Sequence, residues 1–236
     1  MSSLLFNELI PPGISLLIKG PPGSGKTEFA LALSKQWIQG GENVVYVSIS
    51  NPASDVISKL GNNEAVRKKL RIVDCYTSQG DDESGIVVYT NGIAHLESIS
   101  LALSTVLDSM GGPSRIIIDG LSLLFLYNAP QTMSKFVQII STKTKSQGST
   151  TLFLLVEGMH ERITVNTLMA IADGLIEIDI DSNMRRLIRF SYLKGRYVDP
   201  AWYLYEIVNG VPEFTRLGLR ERFVRVQELK EEVNGF

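Results

Sequence analysis

Cysteine, histidine and long apolar runs are scarce in this sequence. Of 236 residues, one is cysteine and two are histidine. Cys75 alone cannot close an intrachain disulfide, and a reducing cytoplasm is the simplest setting for such a chain. His95 and His160 stand apart from any other cluster of ligand-type side chains, so both read as ordinary surface or helix residues rather than transition-metal ligands. The longest apolar stretches are interrupted by Asp119 and Glu157, which excludes an ordinary transmembrane helix, and no membrane insertion is expected. Met1 to Ile10 has no basic segment followed by a long apolar core, so it does not read as a signal peptide. Charge of one sign is missing as well. Lys and Arg number 23 against 25 Asp and Glu, and a net charge of −2 creates no global field toward nucleic acid or anionic membrane. Repeats, low-complexity tracts and an obvious linker are absent. With 44% hydrophobic residues the chain can bury an ample core. Residues 1–236 are therefore expected to form one domain ending in a helical tail over 215–236, although two small domains would also fit the length.

What is present begins with GPPGSGKT, Gly20 to Thr27, which fits the phosphate-loop pattern G-x-x-x-x-G-K-[ST]. Gly20, Gly23 and Gly25 let the backbone turn tightly enough for successive N–H groups to face phosphate oxygens. Pro21, Pro22 and Ser24 complete the loop and are counted with it as binding positions. Lys26 adds a cationic donor that can reach β- and γ-phosphates, in binding and in catalysis. The Thr27 hydroxyl can ligate Mg²⁺. The flanks agree with this reading. Ile14 to Ile18 reads as a buried strand, and Phe29, Ala30, Leu33 and Trp37 recur at helical spacing after the loop. A strand, a glycine-rich turn and a helix would set the positive end of a helix dipole at the phosphates.

Along the rest of the chain, strands and helices alternate. Gly40-Gly41 should end the first helix. Strands are expected at Val44–Val47, Leu70–Cys75, Arg115–Asp119, Thr150–Val156 and Leu175–Ile180. Helices are expected from Asp55, over His95–Met110, over Ser134–Ser146 and over Thr164–Ala172. Residues 77–93 lose the pattern, and Ser78 to Gly85 read as an acidic surface loop. Asp181-Ser182-Asn183 reads as a turn into a returning strand, Arg186–Lys194, with a further strand at Tyr203–Val208. Leu219, Phe223, Val226, Leu229 and Val233 fall on one face of a tail helix that would dock on its own domain. The fold class is thus α/β: a mostly parallel sheet covered by helices on both faces, with antiparallel strands added late at one edge.

The apolar strand before Asp119 makes that carboxylate a second Mg²⁺-holding group opposite Thr27. Hydrolysis needs a third element, a base for the attacking water. RecA-type cores commonly carry it at the end of the strand after the phosphate-loop helix. Here that strand runs into Ser50-Asn51, with no acid. Asn51 can orient water but cannot take its proton near neutral pH, and loss of a general base typically costs ~10²–10⁴-fold. Glu157, at the end of the Thr150–Val156 strand, is the nearest substitute.

With these residues in place the chain resembles the KaiC-like group of the RecA superfamily, which includes archaeal RadA paralogues. The resemblance runs from about Pro12 to about Phe214 and rests on GPPGSGKT, RIIIDGLSLLF, and ADGLIEIDID followed by RRLIRFSYLKGR. It implies a RecA-like P-loop NTPase core that binds ATP with Mg²⁺. It also implies that Lys194 and Arg196 reach the γ-phosphate of ATP on a neighbouring subunit. Family members form rings or hexamers with ATP at subunit interfaces, so a homo-oligomer, or a hetero-oligomer of related subunits, is implied. Two departures stand out. A Glu-Glu pair usual in the family is Ser50-Asn51 here, and the glycine-rich lead-in is shortened to Leu9-Ile10-Pro11-Pro12-Gly13.

The function expected is Mg-ATP binding with slow or absent hydrolysis, in a regulatory or assembly role. The archaellum motor-associated ATP-binding protein is similar in pairing a sound phosphate loop with weak catalytic residues. The alternative is a recombination accessory protein binding single-stranded DNA, for which Arg162, Arg185, Arg186, Arg189 and Tyr192 are the candidate contacts. A nucleoside monophosphate kinase can share GPPGSGK, but no arginine-rich lid is evident here.

Overall fold

The structure is a computed structural model that describes residues 10–77, 80, 85–208 and 210–217. The tail-helix positions from 218 onward, and Ser78, Gln79 and Asp81 to Ser84 of the acidic loop, lie outside the described residues.

Ten strands form one sheet: β1 (Ser15–Gly20), β2 (Asn43–Ser48), β3 (Leu70–Asp74), β4 (Val87–Tyr89), β5 (Ser114–Asp119), β6 (Thr150–Val156), β7 (Gly174–Ile180), β8 (Arg186–Leu193), β9 (Tyr203–Val208) and β10 (Val211–Arg216). Their spatial order is β10-β9-β8-β7-β1-β6-β5-β2-β3-β4. From β4 to β7 every pairing is parallel, and β8, β9 and β10 add to the β7 edge antiparallel. This is a mostly parallel α/β sheet with antiparallel C-terminal strands, as the strand patterning predicts, and it has the RecA-like form that the resemblance implies.

Among the described residues seven helices cover the two faces: α1 (Lys26–Gln39), α2 (Ala53–Leu60), α3 (Glu64–Lys69), α4 (Leu96–Met110), α5 (Leu121–Leu124), α6 (Pro130–Ser146) and α7 (Arg162–Ile171). One core lies under α1, α2 and α3. It packs Phe29, Leu33, Trp37, Val56 and Val66 against Tyr46, Ile117, Leu154 and Ile176. The other lies under α4 to α7, with Leu103, Val106, Phe136, Ile140 and Leu168 against Val45, Ile116 and Phe153. Because strand side chains alternate between faces, the near-continuous apolar runs of β2, β5 and β6 feed both cores at once.

Several elements were not anticipated. The three-residue β4 falls where the pattern is lost, because an edge strand that short shows no alternation. The helices α3 and α5 are too brief for a periodic signal. Pro130 opens α6 one turn before the expected start, with its fixed φ suited to a first helical position. Thr215 and Arg216, placed with the tail, end β10 instead. No helix among the described residues is long and apolar enough to cross a membrane.

Candidate functional site

The phosphate loop leaves the C-terminal end of β1 and enters α1 directly. Gly20 is held at van der Waals limit against β7, where a Cβ would collide with the Ile178 carbonyl oxygen. Gly25 caps α1 in the left-handed region, φ 89°, and no side chain caps the helix. The first amides of α1 are therefore left for an anion. A Cβ on Gly25 would also come within 3.0 Å of the Arg186 guanidinium carbon, so the start of β8 lies over the loop.

Lys26 is 8% exposed and folds back on the loop. Its ammonium donates to Gly20 O at 2.8 Å, Pro21 O at 2.7 Å and Ser24 Oγ at 3.3 Å. Burial pushes its pKa down, against the attraction of Asp119 and Glu157. A phosphate anion would relieve that burial penalty.

Asp119 ends β5 beside the loop. Thr27 Oγ1 donates to its Oδ1 at 3.1 Å, and the Tyr46 hydroxyl donates to its Oδ2 at 2.7 Å. Burial raises the Asp119 pKa, while the bonds from Tyr46 and Thr27 pull it down. A hydroxyl and a carboxylate oxygen converging at one point are the hard donors Mg²⁺ takes, usually with several waters retained, so these residues fit that ion. Among the described residues there is no cluster of three or more His, Cys, Asp or Glu.

These groups open onto a cavity of about 400 Å³ lined by Pro22, Gly23, Gly25, Lys26, Thr27, Glu28 and Asp119, with Ser50, Asn51, Lys59 and Ser122 also in its lining. Ser50 and Asn51 are the positions at which the resemblance implies an acidic pair. Asn51 Nδ2 donates to Ser50 Oγ at 3.3 Å, and its own carbonyl accepts from Ser48 Oγ at 2.6 Å. A second cavity, about 310 Å³, is lined by Met184, Arg185, Arg186, Leu204, Tyr205, Glu206 and Ile207.

The remaining expected residues are dispersed. Glu157 does not line the cavity. Its carboxylate accepts from Lys19 Nζ at 2.8 Å, and Lys19 also pairs with Glu177 at 3.1 Å. Burial works against the charge on Lys19, but its bonds to Glu157 and Glu177 prevail and its pKa lies above the ordinary lysine value. Lys194 and Arg196 follow β8, whose last residue pairs with Gly174 at the start of β7. That is the end of the sheet opposite the phosphate loop, roughly 20 Å along a seven-residue strand. Both side chains are exposed, and Lys194 Nζ reaches Ala170 O at 3.1 Å. They are therefore remote from the loop of their own chain.

Nor do the arginines considered for nucleic acid form one groove. Arg185 pairs with Asp181 at 2.8 Å. Arg189 pairs with Glu177 at 2.6 Å and lies over the Trp202 ring at 4.5 Å. The Tyr192 hydroxyl donates to Met169 O at 2.7 Å, and Arg162 opens a different element, α7.

Four residues at or beside the site are not tied to the phosphate loop by the sequence, although Arg186 is a candidate nucleic-acid contact. Tyr46, Lys59 and Arg186 come from β2, α2 and β8, and nothing in their spacing ties them to the loop. Ser122 accepts from Val156 N–H at 2.8 Å and meets His160 Nε2 at 2.9 Å.

A phosphate loop joining strand to helix, a carboxylate beside it and an antiparallel edge on a parallel core define a P-loop nucleotide-binding protein of RecA-like architecture. The family model for the KaiC ATPase matches residues 3–214, and the chain belongs to that family. Among solved structures it is similar to a KaiC-like protein from the hyperthermophilic archaeon Pyrococcus horikoshii OT3, at 19% identity and a TM-score of 0.68, covering 89% of this chain and 94% of that one. At that identity the likeness concerns the fold. No curated protein matches the sequence.

Proposed function

We propose that this chain binds Mg-ATP in the 400 Å³ cavity, hydrolyses it slowly or not at all, and uses nucleotide occupancy to control contacts between subunits. The observation that carries this reading is the stretch of the cavity lining that follows β2. The loop, the lysine and the convergent Thr27–Asp119 pair line the cavity, and where β2 runs out beside Asp119 the lining offers Ser50 and Asn51 rather than a carboxylate. Asp119 has both oxygens engaged, and Glu157 is held by Lys19.

In this reading the α1 amides and Lys26 bind the phosphates, and Thr27 and Asp119 hold the cation. Bound Mg²⁺ supplies charge neutralisation to the phosphate oxygens. The nucleoside would extend over Gly25 toward Arg186 and the cavity lined by Tyr205. Lys194 and Arg196, remote from their own loop and exposed, suit contact with nucleotide on a second copy or a related subunit. The single buried cysteine suits a reducing compartment. Single-strand DNA binding receives no comparable support, since Arg185 and Arg189 are committed to carboxylates.

Sedimentation of the protein with and without ATP and Mg²⁺, with phosphate release followed on the same sample, tests the reading. ATP should shift the sedimentation coefficient, turnover should stay far below one per second, and Arg196→Ala should abolish the shift. A protein that ignores adenine nucleotides, or one that turns them over briskly, would refute it.

A further inference from the structure

The Tyr46 hydroxyl has no part in any motif, yet it is bonded to the carboxylate of the site. In the register of the sheet, Tyr46 on β2 sits opposite Ile117 on β5, and Ser48 sits opposite Asp119. Residues 117 and 119 share a face, the one covered by α1. Tyr46 is fully buried there in the same core as Phe29, Leu33 and Ile117, and its hydroxyl reaches diagonally to Asp119 Oδ2 at 2.7 Å. The other carboxylate oxygen, Oδ1, takes the Thr27 hydroxyl at 3.1 Å.

We propose that Tyr46 is a positioning residue for the divalent cation: it fixes the plane of the Asp119 carboxylate so that the edge shared with Thr27 faces the nucleotide cavity. The inference rests on the Mg-ATP reading above and adds to it a residue that touches neither nucleotide nor metal. The physical argument is one of orientation. A lone aspartate can rotate its carboxylate through a broad range of χ2. One donor on each oxygen, from two different elements, removes that freedom before the cation arrives. Outer-shell partners of this kind typically change metal affinity by 10–100-fold when removed. The bond also ties β2 to β5 at the point where β2 runs on into Ser50 and Asn51.

The competing explanation is that the ring merely fills space. Tyr46→Phe separates the two, because phenylalanine keeps the ring and loses the hydroxyl. The measurement is a titration with a fluorescent ATP analogue, first in EDTA and then against increasing Mg²⁺, with circular dichroism to confirm folding. In EDTA the variant should bind within about twofold of the native protein. The Mg²⁺ concentration at half-effect should rise about tenfold or more. Ile117→Val, which loosens the core beside the ring but keeps the Tyr46 hydroxyl, should lower the melting temperature without that selective rise. An unchanged Mg²⁺ requirement in Tyr46→Phe would overturn the proposal, and so would an equal loss of affinity in EDTA and in Mg²⁺. If the native protein itself binds no analogue, the Mg-ATP reading fails first and takes this inference with it.

Discussion

Replacing Lys26 with methionine isolates the charge at the head of the site, because methionine keeps most of the aliphatic stem. In the free loop the ammonium is bonded to two backbone carbonyls and a hydroxyl, at 2.7 to 3.3 Å, and burial has lowered its pKa. A nucleotide would not create hydrogen bonds from nothing. It would exchange neutral acceptors for phosphate oxygens and relieve the burial penalty. The loop bonds already carry the charge of the ammonium, so each exchange adds only the pairing of that charge with an anion, about 1.5 kcal/mol at the low end for hydrogen bonds to charged groups. Two such exchanges give a gain of about 3 kcal/mol, which is roughly a 10²-fold loss of ATP affinity in Lys26→Met. Stability should move much less, because losing the loop bonds and losing a buried charge act in opposite directions. The melting temperature should stay within about 4 °C of native, the shift expected for about 1 kcal/mol in a chain of this size. Equilibrium titration with a fluorescent ATP analogue measures the first quantity and thermal unfolding the second. Affinity within threefold of native in a folded variant would refute the assignment of Lys26 to the phosphates.

Three further outcomes are expected. Asn51→Glu should raise phosphate release by about 10²-fold, the lower end of general-base effects, since the new carboxylate would face both phosphate and water; no rise in a folded, nucleotide-bound variant would place the base elsewhere. Lys59→Ala should weaken ATP more than ADP, because Lys59 lines the cavity together with Asn51; equal effects on the two nucleotides would exclude a γ-phosphate contact. Glu177→Gln should lower the melting temperature at pH 7 and flatten its fall in acid. Burial opposes the charge on Glu177, but Ser191, Arg189 and Lys19 outweigh it and hold its pKa below the ordinary glutamate value. Its stabilisation is therefore complete above about pH 4.3, and is lost as pH falls through the depressed folded value. Parallel melting profiles from pH 2 to pH 7 for native and variant would contradict this account.

The sequence alone carried the local part of this protein. GPPGSGKT with an apolar strand before it and a helical period after it is a contiguous signal, and so is the apolar run ending in Asp119. Each could be read because the chemistry and the fold depend there on neighbours a few residues apart. The departure at Ser50-Asn51 was legible for the same reason. The tertiary structure decided whatever depends on which strand lies beside which. The order β6-β5-β2 brings Tyr46 across to Asp119, and the β7–β8 turn lays Arg186 over Gly25. Pairing β6 and β7 on either side of β1 hands Glu157 to Lys19, and the length of β8 carries Lys194 and Arg196 to the far end of the sheet. A periodic pattern states which face of a strand is buried; the identity of its lateral neighbours is fixed only when the chain closes the sheet.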